Sequence, residues 1–111
     1  MPAPPTAIFA SSDVQALGVY EAARALGVVI PTELSVVGFD DLKIARWAGP
    51  ALTTIRVPIA EMAEQAVQVV LGLARDRAPA FSRVDMATTL VVRDSTDVPA
   101  HQPRESFVHL A

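Results

Sequence analysis

A chain of 111 residues with 51 % apolar side chains can close one hydrophobic core and is too short for two. Its net charge of −3 comes with scattered Lys and Arg, and a duplex-binding surface needs clustered cations, so this segment is not itself a DNA-binding surface. The absence of cysteine removes disulfide and thiolate chemistry, and no apolar run approaches the ~20 residues of a membrane span.

The first five residues include three prolines and form a lead-in without regular structure. Residues 6–11, TAIFAS, are a short apolar run suited to a strand buried on both faces. Ser12 opens the pattern S-x-x-Q, a capping box: its hydroxyl accepts from the backbone of Gln15, whose side chain reaches back. The following helix carries Ala16, Val19, Tyr20, Ala23 and Leu26 on one stripe, with Glu21 and Arg24 three apart on another side. Gly27 supplies its left-handed stop and Pro31 bars continuation.

Residues 34–39, LSVVGF, read as a second interior strand, parallel to the first through a right-handed crossover. Residues 40–50 look irregular and residues 52–56, LTTIR, look like a third strand. Pro58 opens a long helix to about residue 75, with Ile59, Met62, Ala63, Ala66, Val69, Val70 and Leu73 on one stripe. Residues 83–87 and 89–93 read as extended. From Asp94 onward, two prolines, many polar groups and no period predict a mobile tail.

In a parallel pair, the carboxyl ends of both strands share one sheet edge. Ser11, Ser12 and Asp13 therefore converge with Asp40 and Asp41. Hydroxyls and carboxylates on rigid elements suit a polyhydroxyl ligand, because an ionised carboxylate accepts from two neighbouring hydroxyls. The plainer reading is that these groups only cap a helix and turn a loop, and the residues alone leave both open. His101 and His109 lie in the tail, and no His or carboxylate set has metal-ligand spacing. Gly18, Gly27, Gly38, Gly49 and Gly72 form no phosphate loop, and neither serine sits in G-x-S-x-G. No cofactor and no catalytic constellation is expected.

AIFASSDVQALGVYEAARALG, LSVVGFDD, PALTTIRVP and TTLVVRDST follow one another at fitting spacing across residues 6–96. In that order they resemble the C-terminal part of the effector-binding domain of LacI/GalR-type bacterial transcription repressors. The resemblance implies an α/β fold: a parallel-sheet, Rossmann-like lobe of the type I periplasmic-binding-protein-like fold, incomplete here. It implies that residues 58–88 cross toward an N-terminal lobe lying outside this chain, that the helical stripe there lacks its sheet, and that residues 97–111 are a flexible tail. The implied ligand groups are Ser12, where many members carry Asn, and Asp40, with Asp13 chiefly organising the helix start and Trp47 near the ligand or subunit contact. The implied homodimer contact is Leu17, with Ala16 and Tyr20 beside it. The implied partners are a sugar- or nucleoside-like effector and, through an N-terminal helix-turn-helix outside this chain, operator DNA. No membrane partner is implied, and the location is cytoplasmic. Asp94 stands where the family often has Gly. A periplasmic sugar-binding protein of a transporter shares the lobe architecture and is the alternative, although VVGFDD, LTTIR and LVVR look more like the repressor branch.

Overall fold

The computed structural model describes residues 3–75 and 83–100. The chain divides into two compact units: Met1–Arg56 with Leu90–Ala111, and Val57–Thr89.

In the first unit, β1 (Ala7–Phe9) and β2 (Ser35–Val37) pair in parallel, with Ile8 opposite Val36. Between them runs α1 (Asp13–Leu26), started by Ser12, whose hydroxyl accepts from the Gln15 amide at 3.1 Å. Only half of the capping box forms, because the Gln15 side chain bonds the Ser11 hydroxyl instead of reaching back to the cap. Gly27 ends the helix at φ 70°, a conformation that costs glycine little, and its N–H closes on the Ala23 and Arg24 carbonyls.

Two parallel bridges, Val37–Thr53 and Asp40–Arg56, extend the order from β2 to β3 (Thr54–Arg56), and β3 pairs with β4 (Thr89–Val91). Ala10, Ala16, Leu34, Val36, Ala45 and Leu52 make the core, with Ile8, Val19, Tyr20, Val28, Ile30 and Ala48 packed around it. Three expectations give way here. Ala7 and Phe9 are exposed, so β1 is not buried on both faces. Leu26, at the last helical position, is 79 % exposed because the chain turns away at Gly27. Residues 40–50 are not irregular throughout: α2 (Lys43–Trp47) forms there and buries Ala45.

The tail expected from Asp94 onward is also corrected. Ser95 is fully buried, and its hydroxyl donates to the Val36 carbonyl at 2.5 Å and accepts from the Thr53 amide at 2.8 Å. The Val36 amide donates to the Ser95 carbonyl at 2.9 Å, Thr96 meets the Thr53 hydroxyl at 3.0 Å, and the Ser35 hydroxyl bonds both backbone groups of Asp97. Hydroxyls that read as solvent-loving are satisfied by strand backbone. Residues 101–111, with His101 and His109, lie outside the described residues.

The second unit contains α3 (Ile59–Ala74), with Pro58 at its N-cap as the sequence predicts. None of its residues is buried, and Ile59, Met62, Val67, Val70, Leu71 and Leu73 are exposed.

Candidate functional site

The shared edge of β1 and β2 is built from the backbone outward. The Ala10 amide donates to the Val37 carbonyl at 2.8 Å, and the Asp13 amide to the Phe39 carbonyl at 2.9 Å, so the start of α1 is fastened to the exit of β2. Gly38 makes that approach possible: a Cβ there would stand 2.4 Å from Asp13 Oδ1 and 2.9 Å from Leu52 Cδ2.

Asp13 is fully buried. Its Oδ2 accepts from the Leu42 amide at 2.7 Å and its Oδ1 from the Thr54 hydroxyl at 2.5 Å. With both oxygens taken inside the protein, Asp13 is removed from the ligand set. It joins α1, the acidic turn and β3.

The two acids of GFDD have different fates. Asp41 has a side chain only 4 % exposed; its Oδ1 accepts from Arg93 Nη2 and its Oδ2 from Arg56 Nε, each at 2.7 Å. Burial pushes its carboxyl up, but the hydrogen bonds and charges of the two guanidinium groups outweigh burial and hold it below the ordinary carboxylate value. Asp40 sits at φ 120°, with its amide on the Ile55 carbonyl at 2.9 Å. Among the described residues its half-buried carboxylate makes no hydrogen bond or ion pair. Ser12, also half-buried, accepts from Gln15, and among the described residues its own O–H is free to donate. A free acceptor and a free donor at one sheet edge match a hydroxyl group, which is both.

Trp47 closes α2 with 77 % of its surface exposed, so its ring is not core. On α1, Leu17 and Tyr20 line an open groove of about 480 Å³ with Glu21, Arg24, Val28 and Pro50. Tyr20 donates to the Pro50 carbonyl at 2.7 Å, and burial pushes its phenol above the ordinary value, with Ser95 opposing and the Asp94 charge adding. Ala16 has no exposed surface and packs in the core, so it cannot form part of a contact on this face.

Sequence reasoning passed over Arg56, Arg93, Thr54 and Ser95. A signal for the first two existed: the runs LTTIR and LVVR both finish on arginine, and the acidic turn carries one more carboxylate than a single acceptor site needs. Among the described residues no cluster of three His, Asp or Glu side chains could hold a metal ion, and no helix is long and apolar enough to cross a membrane.

Residues 1–96 match the periplasmic binding protein-like domain family. The chain belongs to that family. It is 37 % identical over 91 residues to the ribose operon repressor of Haemophilus influenzae, an alignment covering 82 % of this chain and 27 % of that protein. It superposes on the transcriptional regulator CelR–cellobiose complex with a TM-score of 0.77 at 30 % identity, covering 81 % of this chain and 28 % of that one. A LacI-type transcription regulator from Bifidobacterium animalis subsp. lactis gives a TM-score of 0.76 at 34 % identity, covering 85 % and 34 %. The LacI-type resemblance read from four motifs is the one these comparisons return, and the parallel α/β architecture is the family's fold. The relatives are transcriptional regulators, not enzymes. The chain spans 27 % of the length of the ribose operon repressor.

Proposed function

We propose that this chain forms most of one effector-sensing lobe of a LacI-type transcription regulator. A sugar- or nucleoside-like ligand is held by the Asp40 carboxylate and the Ser12 hydroxyl, with Trp47 near the ligand or the subunit contact. Operator DNA is reached only through a helix-turn-helix outside this chain. The protein works in the cytoplasm as a homodimer that uses the Leu17 and Tyr20 face of α1, and it senses rather than catalyses. The observation that carries the reading is the division of labour in the acidic turn: Asp41 is fully engaged by two arginines while Asp40, beside it, keeps a carboxylate that is unpartnered among the described residues. The company of the ribose operon repressor and the cellobiose-bound regulator supports a sugar as ligand. The transporter-protein alternative is set aside because these relatives are regulators.

A hydrogen bond to a charged group contributes about 1.5–3 kcal/mol, so Asp40→Ala in the intact regulator weakens effector binding roughly ten- to a hundredfold. Calorimetric titration with a panel of sugars and nucleosides, ribose and cellobiose included, checks this. A ligand bound equally well by the wild type and Asp40→Ala overturns the assignment.

A further inference from the structure

The acidic turn does more than present one carboxylate. Arg56 is the last residue of the sheet unit before the chain leaves it at Val57, and Arg93 lies just past Leu90, where the chain returns. One carboxylate, that of Asp41, takes both guanidinium groups at 2.7 Å. The Arg93 side of this tie is the stronger, since the Arg93 side chain is 14 % exposed against 51 % for Arg56, and exposed pairs are screened. Arg93 is itself fixed: its Nη1 donates to the Leu52 carbonyl and its amide to the Thr53 hydroxyl, both at 2.9 Å.

The backbone of the same turn is strained. Asp40 at φ 120° and Asp41 at φ 58° are the described non-glycine residues with positive φ. Such conformations persist only where the surroundings hold them. The Asp40 amide on Ile55, the Leu42 amide on Asp13 and the doubly paired Asp41 side chain are what holds them here. The direction of the Asp40 carboxylate thus depends on its neighbour.

We propose that Asp41 is a positioning residue: its doubly paired carboxylate holds the turn that aims Asp40, and ties that turn to the end of β3, where the chain leaves the sheet unit, and to the segment just past β4, where it has re-entered. The paired acids of GFDD then have separate tasks, one to accept from the ligand and one to link the ligand turn to those two segments. Ligand on Asp40 and the geometry at Arg56 and Arg93 become two biases on one equilibrium, which is what coupling between sites requires. The proposal rests on the effector reading of Asp40.

The test is a double-mutant cycle in the intact protein, with ribose and cellobiose as probes followed by the fluorescence of Trp47, combined with amide exchange measured without ligand. Asp41→Asn lowers affinity about tenfold when Asp40 is present and less than about twofold in an Asp40→Asn background, because a residue that acts through another loses its effect when that other is gone. Arg93→Gln repeats the loss and Arg93→Lys recovers most of it. In Asp41→Asn, amides of residues 40–42 and 90–93 exchange at least about tenfold faster together, while those of α1 are unchanged. Additive losses of affinity, or acceleration confined to the turn, overturn the proposal. A wild type that binds neither sugar counts against the effector reading alone, and the exchange measurement still decides whether Asp41 ties the two segments.

Discussion

The two long helices make opposite use of similar material. α1, of 14 residues, buries the small side chains Ala16 and Ala23 together with a fully engaged Asp13. α3, of 16 residues, carries Ile59, Met62, Val67, Val70, Leu71 and Leu73, and buries nothing. At 3.6 residues per turn, its polar side chains Glu61, Glu64, Gln65 and Gln68 cover an arc of only roughly 100°. Around α1, among the described residues, no buried side-chain nitrogen or oxygen lacks a hydrogen bond. The contrast shows that periodicity settles which face of a helix is apolar and says nothing of whether the chain supplies what covers it. In the sheet unit, a core of Leu34, Val36, Leu52 and three alanines is closed, and polar side chains cross-link the strands, the turn and the helix start around it. In the α3 unit, larger apolar residues stay unburied.

If the polar cross-links are what sets the sheet unit apart, removing the central one does the most damage. Asp13→Ala strands the Leu42 amide and the Thr54 hydroxyl, two donors that the carboxylate now satisfies. A buried donor left unpaired costs about 1–3 kcal/mol, so the variant loses roughly 2–6 kcal/mol. Urea unfolding followed by circular dichroism measures it. A loss under about 1 kcal/mol would mean that the apolar core alone holds the unit.

A smaller effect sharpens the role of the outer tie. The Asp41 carboxyl titrates lower in the folded than in the unfolded chain, because two guanidinium groups outweigh its burial. Between the two values the unfolded state binds more protons, so stability rises with pH there. The contribution of Asp41 is fully present above the ordinary carboxylate value of about 3.9 and is lost as pH falls through the lower folded value. Unfolding midpoints measured from about pH 2 to pH 6 therefore show an acid limb that Asp41→Asn makes shallower. An unchanged slope would mean that the pair at Arg93 is not held in solution.

The parallel pair, α1 and its glycine stop were legible from residues 6–39 because each is local: an apolar run, a cap, a stripe and a stop. α2 was not, since five residues show too little of a helical period and only Ala45 faces inward. Ser95 was not legible because a hydroxyl that bonds strand backbone has the same sequence appearance as one in solvent. The candidate site was half legible. Strand ends pointed to Ser12, Asp13, Asp40 and Asp41 together, but what separates Asp40 from Asp41 is an arginine 52 positions away, and what removes Asp13 is a threonine 41 away. Long-range polar pairing has no period to read.

The smallest change in stability tests the other side of the comparison. Val70 on α3 is 63 % exposed, so Val70→Glu shifts the stability of the isolated chain by less than about 0.5 kcal/mol. Its effect falls on association instead. Burying a Val or Leu side chain contributes about 1.5–3 kcal/mol, and a face with that many uncovered gains by meeting another such surface. Sedimentation of the isolated chain over a concentration range shows self-association, which Val70→Glu reduces. Leu17→Glu, on the α1 groove, separates the two faces: it disrupts the homodimer proposed above, whereas Val70→Glu suppresses association of the isolated chain. If Val70→Glu destabilises the isolated chain by 2 kcal/mol or more (about the worth of one buried valine), α3 is core in solution and its stripe needs no further partner.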